Sequence, residues 1–143
     1  VDATIFTLLK AVRHAHIEYF DRLLQPYGVR VGQQFILELL WQTQEDLSIG
    51  EIASRLGLEA PTVTRTVQRM IGQGLVEKYP HPTDARLVLV RLTAHGSALG
   101  NVLPDVLAQA QSRLLTDISE VEKAFLVRLF RQMLQNAIEE PPI

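Results

Sequence analysis

Apolar residues recur at three- and four-residue spacings through most of the chain. Ile5, Leu8, Leu9, Val12, His16, Tyr19, Phe20 and Leu23 trace one stripe of a long amphipathic helix that stops near Pro26-Tyr27-Gly28. A second helix is expected over Gln33 to Gln44, with Ile36, Leu39, Leu40 and Thr43 on one side. In LSIGEIASRLG, Ser48 and Glu51 stand at capping-box spacing and Gly57 supplies a stop, so both ends of a short helix are marked. Pro61 then opens another helix, because the N–H it lacks has no partner in a first turn. That helix should run to about Gln73 and stop at Gly74.

Beyond Gly74 the period changes. LVEKY and RLVLVRLT are rich in β-branched and aliphatic residues, and PHPTDA between them carries turn chemistry, which predicts a small hairpin. Thr93 and Gly96 start a further helical region, with Leu99 to Leu115 broken or bent at Pro104. Ser119 and Glu122 form a second capping box, opening a last helix with Val121, Phe125, Leu129 and Met133 on its apolar side. The fold class is mostly α with a small β-hairpin wing. Two short helices joined through Gly57-Leu58-Glu59-Ala60 and followed directly by a hairpin make a winged helix-turn-helix.

Composition narrows what such a lobe can do. At 143 residues and 47% hydrophobic, the chain is long enough to bury one core and too short for several domains. A net charge of −2 creates no global attraction for polyanions, so any nucleic-acid surface must be local. The absence of cysteine removes disulfides, thiolate metal sites and thiol redox sensing. No apolar run approaches the roughly 20 residues of a membrane span, and Asp2 with the amphipathic pattern behind it argues against a signal peptide. A cytoplasmic protein with no membrane partner is expected.

The stretch EAPTVTRTVQRM, residues 59–70, offers that local surface. At about 100° per residue, Val63, Val67, Met70 and Ile71 cluster on one side, leaving Pro61, Thr62, Arg65, Gln68 and Arg69 on the other. Arginine reads guanine bidentately, glutamine reads adenine, and a threonine hydroxyl or methyl meets a base edge or phosphate. A merely solvated helix face looks similar; placement as the second helix before a wing distinguishes the two.

IGEIASRLGLEAPTVTRTVQRMIGQGLVEKYPHPTDARLVLVRLTAHG resembles the core of the multiple antibiotic resistance regulator (MarR) family, through its T-V-T-R, G-L-V, D-x-R and L-T-x-x-G motifs in order. With its flanking helices, the resemblance covers nearly the whole chain: one domain over 1–143, with a winged lobe at 30–96 and dimerisation helices at 1–29 and 97–143. It implies a dimeric transcription factor, often a repressor, that binds a pseudo-palindromic double-stranded operator and is often released by small phenolic or other aromatic molecules. By position it makes Thr62, Thr64, Arg65, Gln68 and Arg69 major-groove or phosphate contacts, Arg86 the wing-tip residue in the minor groove, and Asp84 its orienting partner. Ala85 stands where family members frequently carry a further basic residue.

The remaining candidates are weaker. Ile5, Leu8, Leu9 and Val12 at one end, and Phe125, Leu126, Leu129, Phe130, Met133 and Leu134 at the other, exceed what one small lobe needs to bury. Either a partner chain covers them or the two terminal helices pack together. His16, Tyr19, Phe20 and Phe35 could wall an effector pocket; the alternative is core, with His16 buried and hydrogen-bonded. His14 and His16 are two apart and face different directions on a helix, and His81 and His95 are isolated, so no metal or other cofactor is expected. Asp117, Glu120 and Glu122 suit capping, and no nucleophile is coupled to a histidine and acid, so no enzyme is expected. The rival to operator binding is a winged-helix module for protein interaction or ligand binding.

Overall fold

Local side-chain chemistry explains most helix boundaries. The computed structural model describes residues 2–139, so the expected span of 1–143 runs past the described residues at both ends. Helix α1 (Asp2–Leu24) passes into a 3₁₀ turn (Gln25–Tyr27), and Gly28 takes a left-handed φ of 70° there. Helix α2 (Val31–Thr43) begins earlier than the apolar spacing suggests, because the Asp21 carboxylate accepts the Val31 N–H at 3.1 Å and Gln33 Oε1 accepts the Arg30 N–H at 3.1 Å. Helix α3 (Ile49–Leu56) carries the expected capping box: Ser48 Oγ accepts from Glu51 N at 3.1 Å and Glu51 Oε1 from Ser48 N at 3.3 Å. Helix α4 (Ala60–Gly72) follows after a turn of Gly57, Leu58 and Glu59, so Ala60 belongs to the helix rather than to the turn.

A short strand that the pattern did not mark, β1 (Leu47–Ser48), joins the expected hairpin of β2 (Val76–Pro80) and β3 (Val88–Leu92) in an antiparallel sheet of order β1-β3-β2. Only Leu47 and Ser48 pair with β3, opposite Val90 and Leu89, and two residues show no alternation to read. The later helical region breaks at residues 100–102, between α5 (Ala94–Leu99) and α6 (Leu103–Leu114), not at Pro104. Pro104 sits in the first turn of α6, where it forfeits no helical hydrogen bond. At the break, Gly100 lies against Trp41; a β-carbon there would come within 3.1 Å of the indole. Helix α7 (Glu120–Ile138) opens on the second capping box as expected.

By its contacts the chain divides into two compact units, Val1–Ala110 and Gln111–Ile143. In the first, the C-terminal half of α1 (Phe20, Leu24), the inner face of α2 (Ile36, Leu37, Leu40), Ile52, the apolar side of α4 and Val90 of the sheet share one core. The second holds the end of α6 and α7, and α7 has no buried residue.

The Leu-Thr-x-x-Gly stretch at 92–96 has a packing reason. Thr93 Oγ1 accepts from Gly96 N at 3.1 Å and donates to Gly74 O at 2.6 Å, which brings the buried Gly96 backbone against Leu75, just before β2. A β-carbon at Gly96 would sit 2.0 Å from the Leu75 carbonyl oxygen, which is backbone and cannot swing away. Gly96→Ala should therefore cost about 1–3 kcal/mol or more, seen as a lower urea midpoint at unchanged slope. An unchanged midpoint would mean the two segments separate freely.

Candidate nucleic-acid interface

The buried side of α4 determines where its polar side points. Val63, Val67 and Met70 are in the core, at most 1% exposed, so the helix cannot rotate about its axis without opening a cavity. Pro61, Thr64, Arg65, Gln68 and Arg69 are consequently exposed, and Thr62 is half-buried. Among the described residues, neither Arg65 nor Arg69 has an ion-pair partner. Both guanidiniums are thus available to an outside anion. The N-cap residue Glu59 makes no side-chain cap, and no acidic residue lies in the first turn, so the Glu59 carboxylate is the acid that partly offsets the positive end of the helix.

The wing tip is built by two side chains that organise backbone. His81 Nδ1 accepts the N–H groups of Thr83 at 3.2 Å and Asp84 at 3.0 Å, folding the turn between β2 and β3. That is the role the structure gives His81, a residue whose contribution the sequence left undefined. Asp84 Oδ1 accepts the Arg86 backbone N–H at 3.1 Å and its Nε–H at 3.2 Å, while Oδ2 lies 3.4 Å from the terminal guanidinium nitrogen. The Arg86 guanidinium hydrogen bond, then the Arg86 backbone N–H, hold the Asp84 carboxyl below the usual carboxylate range. A depressed pKa keeps this contact fully formed above the ordinary carboxylate pKa and releases it only as pH falls through the lowered one, so it is intact near neutrality. The Arg86 side chain remains 91% exposed, oriented at its base and open at its tip.

On its outer face the sheet carries a group the sequence reading missed. Arg91 Nε donates to Glu77 Oε1 at 2.6 Å, its guanidinium lies 4.5 Å from the centre of the Tyr79 ring, and the Tyr79 hydroxyl hydrogen-bonds Asp46 Oδ2. Glu77 and Tyr79 share a face by strand alternation, a legible signal, but Asp46 belongs to a loop 33 residues away.

The four candidate effector residues lie in different environments. Phe20 is buried, Tyr19 half-buried, and Phe35 is exposed rather than forming a wall with Phe20. His16 stacks near Phe20, ring centroids 6.3 Å apart, and departs from expectation: its Nδ1 is shut off from solvent without a hydrogen-bond partner. A cleft of about 480 Å³ at the root of the wing, lined by Trp41, Asp46, Arg91, Ser97 and Asn101 among others, includes none of the four. Among the described residues no group of three or more potential metal ligands gathers, and no helix is long and apolar enough to cross a membrane.

The MarR family model matches residues 31–88, from the start of α2 to the first residue of β3. The uncharacterized HTH-type transcriptional regulator YwoH of Bacillus subtilis (strain 168) is 33% identical over 112 residues, covering 78% of this chain and 80% of that protein. Among solved structures, a MepR–DNA complex from S. aureus superposes with a TM-score of 0.84 at 22% identity, over 92% of this chain and 96% of that one. A mutant MarR from E. coli complexed with operator DNA gives a TM-score of 0.80 at 24% identity, over 92% and 94%. At these identities the two complexes establish likeness of fold.

Proposed function

Since the chain belongs to the MarR family of winged-helix transcriptional regulators, we propose that it binds a pseudo-palindromic operator as a homodimer in the cytoplasm and represses transcription until a small aromatic ligand releases it. The observation that carries operator binding is the exposed, unpartnered pair Arg65 and Arg69 on a helix whose orientation is locked by its buried side. In this reading Thr62, Thr64, Arg65, Gln68 and Arg69 meet base edges and phosphates of the major groove, with Pro61 at the helix entrance. Arg86, oriented by Asp84, enters the flanking minor groove, where a narrow A·T-rich stretch concentrates negative potential.

Selection from a random-sequence duplex pool tests this directly. The expected product is an inverted repeat whose half-sites lie about one helical turn apart, bound in a gel shift by a dimer. Enrichment of no sequence would sink operator reading and leave the winged lobe as an interaction module.

The ligand half of the proposal draws on the family resemblance and on His16. His16 stacks beside the Phe20 ring, an aromatic surface of the kind on which a planar guest packs. Salicylate should therefore weaken binding to the selected duplex by favouring a dimer with wrongly spaced lobes. If a broad panel of aromatic acids leaves the affinity unchanged, the sensing role fails while operator binding stands.

A further inference from the structure

The wing is held to the body of the winged lobe by very little strand pairing. Strand β1 contributes two residues, and they meet β3 only at Leu89 and Val90. Outward from there β2 and β3 pair only at Pro80 and Val88, with the His81 N–H to Leu87 O bond beyond, a short two-stranded ribbon that bends and twists when nothing supports it. Arg86 is carried beyond the end of that ribbon, past Pro80 and Val88. A change of angle at the root therefore carries the Arg86 guanidinium with it.

One side chain spans this weak point. Tyr79 stands on β2 opposite Leu89, one residue from the strand's outer end, yet its hydroxyl reaches Asp46, next to β1 on the other side of β3. Its ring lies beneath the Arg91 guanidinium, which is itself held to Glu77. The Asp46 hydrogen bond is also the main reason the Tyr79 hydroxyl is pushed above its ordinary pKa, so it stays a donor at any physiological pH. An exposed ion pair such as Arg91 with Glu77 contributes little when isolated. Here it fixes the cation that in turn fixes the ring.

We propose that Tyr79 is a positioning residue for DNA binding: through Asp46 and Arg91 it braces the wing at the angle that delivers Arg86 to the minor groove. This rests on the reading of Arg86 as a groove contact. With its hydroxyl engaged by Asp46 and its ring by Arg91, Tyr79 acts by narrowing the range of positions Arg86 samples before binding, and so reduces the ordering cost on association.

A double-mutant cycle in the full chain separates this role from a merely structural one. Tyr79→Phe keeps the ring under Arg91 and removes only the hydroxyl. With the duplex the protein selects from a random pool as probe, Tyr79→Phe should weaken binding about three- to tenfold, the range of one hydrogen bond, without shifting the thermal midpoint appreciably. In an Arg86→Ala background the same change should weaken binding less than twofold, because no wing cation remains to be positioned. Asp46→Ala should reproduce Tyr79→Phe and supplies the same test if the phenylalanine variant folds poorly, and Asp46→Asn, which keeps an acceptor oxygen, should restore most of the affinity. Equal losses with and without Arg86, or a Tyr79→Phe variant that binds like the parent while Arg86→Ala does not, overturns the brace. An Arg86→Ala variant that binds like the parent overturns the groove contact itself, and the brace with it.

Discussion

Arg65→Ala is expected to lose roughly 1–3 kcal/mol of affinity for the selected duplex and to relax preference at one base pair in each half-site. The buried Val63 and Val67 fix the azimuth of α4, so the Arg65 guanidinium emerges on the side facing away from the core, with no acidic ion-pair partner among the described residues. A bidentate guanine contact from such a position discriminates sequence, and its removal should cost far less on scrambled duplex. Arg86→Ala should differ in kind. A cation on a wing senses groove width and displaces counterions, so its loss should weaken selected and scrambled duplex more evenly and flatten the dependence on salt. Titration of both variants with both duplexes at several salt concentrations distinguishes the patterns. Parental affinity for both variants on both duplexes would reduce this surface to solvated charge.

Leu8→Asp and Leu129→Asp are each expected to convert a dimer into a monomer. Leu8 on α1 is 58% exposed and Leu129 on α7 48%, and each lies in a run of similarly bare apolar side chains, Ile5, Phe6, Leu9 and Val12 on one helix and Phe125, Phe130, Met133 and Leu134 on the other. Folded monomers rarely present patches of this extent to water. Because neither residue belongs to the core, a carboxylate there leaves the folded subunit intact and is penalised only when a second copy tries to bury it. Operator affinity should then fall by roughly 10²–10⁴, since two half-sites are no longer engaged by one linked pair of lobes. Sedimentation at micromolar concentration checks the first claim. A parent that sediments as a folded monomer removes the homodimer from the proposal.

Most helix ends were legible because capping is a conversation within four residues. Ser48 with Glu51, and Ser119 with Glu122, form their reciprocal bonds as the sequence spacing predicts, and Gly57 and Gly74 adopt the positive φ that ends α3 and follows α4. The two faces of α4 were legible for a related reason: a 3.6-residue period alone separates Val63, Val67 and Met70 from the arginines. The Asp84–Arg86 contact, two residues apart, came from the family resemblance, and the structure supplies its geometry.

Features that join distant parts of the chain had no such local signature. Leu47 and Ser48 become a strand only because β3 supplies backbone partners, and Trp41 packs against Gly100 from α2, far earlier in the chain. The sealed Nδ1 of His16 follows from what packs around it, not from its place in the apolar stripe. The Tyr79 hydroxyl finds Asp46 across an intervening strand. By itself, then, the sequence determined where helices start and stop, which side of α4 faces out and which chemistry it carries, since those depend on neighbours within a turn or two. Tertiary structure decided how the wing is anchored and which polar atoms are left unpaired, because both depend on groups that meet only after the core has closed.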